Sequence, residues 1–394
     1  MTHSTPDNQS SSQTEPDQES TSALEPTAQR RLRRKPVIAV AVLALAAAGF
    51  GSWALTAGPL STESYCWGAW EEGSGSPILG DAALKDDGSR KATETSPSAD
   101  SPHGECTLTV KSASSQGSQK ISYEDRVTVR YGTAPRDTAD RRAWMGEFLY
   151  AGGERLPDGL PGLVDTDRGL LVLPKECDQD GQPTVVTLRA HGTSSSAGDS
   201  VANPTSLGVE RDVANLLLHA ANQGMEKAGC APDQKLRLTE AFPATEANSP
   251  KARSEERSPA PSGVCDIPGL RSGDNWIQTG RDERLEICSV TTEVPQQEPE
   301  FAGQFLAVTE PRIVDLFNSM AGNRTPGSGW KGKGVIEDSY AVVKAQCNGA
   351  ATVFFQQLSE DMQKVSKPGP KQVFANRVNA ATERAQCDRI TPAN

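Results

Sequence analysis

Twenty-one consecutive uncharged, mostly aliphatic residues, 37–57, stand directly behind Arg30, Arg31, Arg33, Arg34 and Lys35. At 1.5 Å per residue such a run forms a helix about 31 Å long, the thickness of a bilayer's hydrocarbon core, and the basic cluster holds its N-terminal end in the cytoplasm. The pattern predicts a membrane-spanning helix over 36–58, with the bilayer as a partner and everything beyond it extracytoplasmic. A cleaved signal peptide is the competing reading, and Ala46, Ala47 and Ala48 would suit a peptidase. Its apolar core, however, usually spans about 7–15 residues behind a short charged leader, whereas thirty-five residues come first here. A buried core helix would need a polar face, which this run lacks. Cys66 lies too far beyond the run for lipid attachment at its end.

Residues 1–29 are dominated by Ser, Thr, Gln, Glu, Asp and Pro, a composition that buries too little surface to offset chain entropy. A disordered cytoplasmic tail is expected over 1–35. Its five acids, Asp7, Glu15, Asp17, Glu19 and Glu25, are balanced by the five basic residues before the apolar run, so the net charge of −11 belongs to the residues beyond it. An acidic surface repels phosphate backbones, which argues against a nucleic-acid partner.

All eight cysteines, Cys66, Cys106, Cys177, Cys230, Cys265, Cys288, Cys347 and Cys387, also follow the run. An even number in an oxidising compartment points to disulfides. Structural zinc is disfavoured, because no Cys-x-x-Cys pair occurs and His103, His191 and His219 are scattered. No cofactor is expected.

The cysteines fall into two groups of four, and the sequence around them repeats. Residues 222–230 read NQGMEKAGC and residues 379–387 read NAATERAQC; an offset of 170 superposes Ala151, Gly152, Gly159, Gly162, Val172 and Cys177 on Ala321, Gly322, Gly329, Gly332, Val342 and Cys347. The same order with locked cysteines predicts two tandem copies of one small domain, 62–243 and 264–394, joined by a linker at 244–263. Sequential pairing, Cys66–Cys106, Cys177–Cys230, Cys265–Cys288 and Cys347–Cys387, keeps each bridge local, although four cysteines per copy allow three patterns.

Strands are expected at 127–131, 169–173 and 184–188 in the first copy and at 286–291, 340–343 and 352–355 in the second. Helices are expected at 138–150, 209–228, 311–320 and 371–385, short strands at 235–239 and 388–391, and polar surface loops at 86–105 and 191–207. The class implied is α+β, a small antiparallel sheet with helices on one side in each copy.

Candidate chemistry is sparse. Residues 327–334, GSGWKGKG, imitate a phosphate-binding P-loop but end in Gly334 where Ser or Thr should hold magnesium, and they follow a helix instead of a strand, so a turn is expected. Asp178, Asp180 and Gly181 depart from calcium-loop spacing and also read as a turn. His219 is expected at a groove edge, and Glu226 and Glu383 on solvated helix faces. Tyr65, Trp67 and Trp70 either mark a membrane interface or pack around Cys66, and the second is favoured. No nucleophile elbow occurs, so an enzyme is not favoured.

With the anchor and the polar tail, residues 65–80, YCWGAWEEGSGSPILG, resemble the uncharacterised single-pass membrane-anchored envelope proteins of actinobacteria. The resemblance implies a place in the cell envelope and carries no site residues with it. The resulting expectation is a membrane-tethered extracytoplasmic binding or sensing module whose partner is an envelope protein or a small molecule. An extracytoplasmic enzyme and a purely structural envelope component are the alternatives.

Overall fold

Period-two alternation runs well beyond the segments where apolar residues reveal it. In the computed structural model the described residues are 63–393, apart from 86–87, 117–118, 197–198, 204, 232, 234, 243–263, 271–274 and 293–299. The expected tail, membrane span and linker lie outside them. Among the described residues, no helix is long and apolar enough to cross a membrane.

The first half opens with a small antiparallel pair, β1 (Ser64–Tyr65) and β2 (Trp70–Glu71). A meander follows, β3 (Ser89–Thr95), β4 (Gly104–Gln116) and β5 (Gln119–Thr133), then helix α1 (Thr138–Phe148). A second meander uses β6 (Glu154–Arg155), β7 (Gly162–Val164), β8 (Arg168–Val172) and β9 (Thr184–Ser196), with β10 (Asp199–Asn203) folding back on β9 before helix α2 (Glu210–Ala228). The strands order β3-β4-β5-β9-β8-β7-β6.

The second half contains β11 (Asn275–Arg281), β12 (Leu285–Thr292) and β13 (Glu300–Val308), short helices α3 (Pro311–Asp315) and α4 (Asn318–Ala321), then β14 (Lys333–Ile336), β15 (Tyr340–Cys347) and β16 (Ala350–Leu358). Helices α5 (Glu360–Val365) and α6 (Pro370–Arg384) complete it. Its order, β11-β12-β13-β16-β15-β14, follows the connectivity of the first sheet: a meander, a helix, and a second meander whose last strand pairs with the last strand of the first.

The α+β class with a small sheet in each half is therefore corrected. The described residues are mostly β, in three antiparallel sheets of two, eight and six strands. The excess strand comes from polar segments. Residues 86–105, expected as a loop, contain β3, and 191–207 contain the end of β9 and all of β10. Ser- and Thr-rich stretches such as 192–196 hide their alternation because neither face is apolar, yet their ladder bonds are satisfied by neighbouring strands. Conversely, 235–239 and 388–391 are not strands. Asn222 takes over the role of a ladder partner for the first, with its Nδ2 donating to the Leu236 carbonyl and its Oδ1 accepting from the Leu236 N–H, both at 2.8 Å.

Helices are not confined to one side either. On one face of the first sheet α2 buries Val213 and Leu217 against Val127, Val129, Leu171 and Leu188. Gly224 makes the contact possible, since a Cβ there would stand 2.2 Å from the Tyr131 ring. The other face supplies Leu163, Leu170, Val172 and Val185 to a cluster shared with Leu285, Ile287, Leu306, Val308, Val342 and Phe355 of the second sheet. Helices α1, α3 and α4 fill the layer between the sheets through Met145, Phe148, Ile313, Val314, Phe317 and Met320. The two halves thus have one continuous core.

Polar groups in this layer are paired across it. Gln304 donates to the Met145 and Leu149 carbonyls at the end of α1, and Gln357 donates to the Arg142 carbonyl at 3.1 Å and to Gln304 Oε1 at 2.8 Å. Of these, the Leu149 carbonyl is one that the helix end leaves open, whereas the Met145 carbonyl already accepts from the Leu149 N–H. Arg312 returns the contact, donating to the Leu173 carbonyl at 2.9 Å and pairing with Asp178. Arg141, only 1% exposed, donates to the Leu316 carbonyl at 2.7 Å. That contact helps explain why 311–320 is two short helices and not one: a side chain takes the Leu316 carbonyl, and the Met320 N–H turns to Phe317.

The disulfides are Cys66–Cys106, Cys177–Cys230, Cys265–Cys288 and Cys347–Cys387, with Cα separations of 5.2, 5.1, 5.7 and 5.3 Å. Each half carries one bridge to the second strand of its sheet and one fixing the end of its long helix.

Candidate functional site

Most motifs noticed in the sequence serve the fold. Trp70 is 1% exposed and its Nε1 donates to the Leu216 carbonyl at 3.0 Å, while Trp67 Nε1 donates to the Thr95 carbonyl at 3.0 Å. With Tyr65 they are buried around Cys66–Cys106. Cys66, Cys106 and Glu94 come close together, but both sulfurs are spent in the disulfide and Glu94 accepts from the Trp67 N–H, so the group has no metal-binding thiolate. Asp178 is committed to Arg312 and Asp180 to Arg136, at 2.6 Å, so the two carboxylates do not converge.

His219 is exposed at the rim of a cavity of about 160 Å³ with Asn222, Gln223, Glu226 and Lys235. Glu226 and Glu383 are solvent-facing. Residues 327–334 form a turn and the start of β14, held by Trp330 stacked on Phe374 at 5.8 Å. Among the described residues, every carboxyl whose pKa is displaced is displaced downward. The Arg126 guanidinium holds Glu124 down, and Thr239 does the same for Asp158 through hydrogen bonds. Glu286 is desolvated, which acts in the opposite direction, but Arg377 and Arg384 outweigh this. A general acid needs the reverse shift.

A site that the sequence did not reveal lies on the first sheet, on the face away from α2. Successive strands present Thr95, Glu105, Arg130 and Thr187 here, because Cys106, Val129, Tyr131 and Leu188 alternate with them toward α2. Arg130 stands opposite Glu105 on β4 and Thr187 on β9, and its Nε donates to Glu105 at 2.8 Å. Helix α1, started by the Asp137 carboxylate accepting from the Ala139 and Asp140 N–H groups, runs beside this floor and turns Trp144, Glu147 and Phe148 toward it. The result is a groove of about 400 Å³.

One wall is aromatic. The Trp144 and Phe148 rings lie 5.7 Å apart, tilted by 46°, and Trp144 remains partly exposed. His103 forms the opposite rim, its ring resting over Gly132, where φ is +152° and a Cβ would meet the ring at 2.8 Å. The charges are internally compensated: Glu105 pairs with Arg130, and Glu147 with Arg189 at 3.4 Å. Such a groove offers an apolar platform, a floor of hydroxyl, carboxylate and guanidinium groups, and little net field. It favours a neutral ligand with one apolar face and one hydroxyl-rich edge. Trp144 was the available signal, an indole just off the Met145 and Phe148 stripe of a weakly amphipathic helix.

Comparison with protein-family models, with curated proteins and with solved structures finds no match to this chain.

Proposed function

We propose that the protein is a membrane-tethered, extracytoplasmic binding module of a cell envelope, and that the groove beside Trp144 receives a neutral saccharide. The groove carries the proposal: a sugar ring presents C–H groups to an indole face and hydroxyls to paired charges and threonines, the two surfaces set side by side here. The location rests on the basic cluster followed by the apolar run at 37–57 and is supported by four disulfides, which persist in oxidising compartments. The resemblance to actinobacterial envelope proteins fits the same setting. A module with a continuous core between its halves does not bind by closing a cleft between them.

The test is titration of the full chain in maltoside-free neutral detergent with neutral hexose and N-acetylhexosamine oligosaccharides, followed by tryptophan fluorescence. Saturable change in the wild type, lost in Trp144→Ala with its melting temperature retained, is expected. Equal responses in both proteins, or none across the panel, would contradict the assignment.

A further inference from the structure

A second cavity, in the other half, has the opposite electrostatic character. It measures about 790 Å³ and is bordered by Lys331, Lys333, Lys344 and Arg389 against a single carboxylate, Asp388. Among the described residues none of the four cations is in an ion pair, although the chain carries a net charge of −11. Lys344 is held by a neutral group, its Nζ donating to Asn318 Oδ1 at 2.6 Å.

Two of the lysines are placed where a sheet pays for them. Lys333 and Lys344 are direct partners across β14 and β15, and like charges facing each other on adjacent strands are destabilising. The fold itself does not require this arrangement. By strand register Gly162 corresponds to Gly334, and not to Gly332 as the offset of 170 has it: Gly162 pairs with Leu171 as Gly334 pairs with Val343, which sets Pro161 and Val172 at the positions of Lys333 and Lys344. There the pair is uncharged, with the Val172 N–H donating to the Pro161 carbonyl at 2.9 Å.

We infer that this cavity is a binding site for a phosphate-bearing anion, either a condensed phosphate or a phosphate ester. A pocket crowded with uncompensated cations in an acidic protein focuses its field on anions. Lysine ammonium groups and an arginine fork are the donors phosphate oxygens take in charge-assisted hydrogen bonds. The volume lies within the roughly 300–1,000 Å³ of small-molecule sites, so it accommodates an organic or condensed phosphate better than a lone ion. Bound phosphate would also relieve the repulsion between Lys333 and Lys344. The site is independent of the groove beside Trp144, which belongs to the other sheet.

Isothermal titration of the full chain in neutral detergent tests the inference, with tripolyphosphate in one arm and short-chain phosphatidylglycerol in the other. Short-chain phosphatidylcholine, which has no net charge, serves as the control lipid. The double variant K333Q/K344Q is compared with wild type; the Arg30–Lys35 cluster is present in both, so only the difference reports on the cavity. Each lysine should account for about a tenfold loss of affinity, while the ligand-free melting temperature stays equal or rises as the like-charge pair disappears. R389Q, a change at an exposed side chain, should weaken binding in the same direction. A lysine-dependent response to tripolyphosphate alone places the ligand among soluble phosphates, and one extending to phosphatidylglycerol includes lipid headgroups. Wild type and variants that respond alike to both probes would overturn the inference.

Discussion

Gly224 shows how one missing side chain sets the distance between α2 and the first sheet. In mid-helix a glycine costs about 1 kcal/mol relative to alanine, so a substitution judged by propensity alone should stabilise. The Tyr131 ring lies where the added Cβ would go, and its hydroxyl is 3.1 Å from Cys230 Sγ beside the bridge at the end of α2. Burial pushes the Tyr131 phenol pKa up, so it stays protonated. Overpacking outweighs propensity here, and Gly224→Ala should lower stability by about 1–2 kcal/mol, as read by thermal or urea unfolding. The sequence showed only a glycine inside an apolar-periodic helix; what makes it necessary is an aromatic ring ninety-odd residues away in the chain, which periodicity does not report.

At the scale of elements, α6 is fixed to β12 by charge as well as by packing. Arg377, 1% exposed, donates to Glu286 at 3.0 Å, and Arg384, two turns further along the same face of the helix, donates to the same carboxylate at 2.8 Å. Desolvation of Glu286 raises its pKa, but the two guanidinium groups more than reverse this and hold it below the ordinary 4.5. Because the folded-state pKa is depressed, the stabilisation is complete above about pH 4.5 and is lost as pH falls through the folded value. The wild type should therefore lose melting temperature steeply on acidification below about pH 4.5. Glu286→Gln should be about 2–3 kcal/mol less stable at neutral pH, with a flatter acid limb. Coincident acid profiles for the two proteins would count against the pairing. The helices themselves were legible, since α1, α2 and α6 carry apolar faces and recognisable ends. The polar strands β3 and β10 were not, because the signal used to find strands is a hydrophobic alternation that they lack. The break between α3 and α4 was also hidden, since it depends on Arg141 reaching in from the other half.

For the whole molecule the decisive feature is the layer between the two sheets. Inward-facing residues such as Leu163, Leu170, Ile287 and Leu306 alternate as any half-buried strand would, and alternation alone does not say whether a helix, solvent or a second sheet lies opposite. Gln304 and Gln357, 1% and 4% exposed, were the overlooked clue: buried amides on strands need partners, and these two find them on α1 of the other half. The candidate groove was hidden for a related reason, since its floor comes from β3, β4, β5 and β9 and its wall from α1. Repeated cysteine spacing predicted two copies, but said nothing of how the two halves dock. A shared core makes the halves one folding unit. Scanning calorimetry of the full chain in neutral detergent, with disulfides intact, tests this most directly: the account predicts one transition for both sheets, with calorimetric and van't Hoff enthalpies in agreement, and two separable transitions, one for each half, would contradict it.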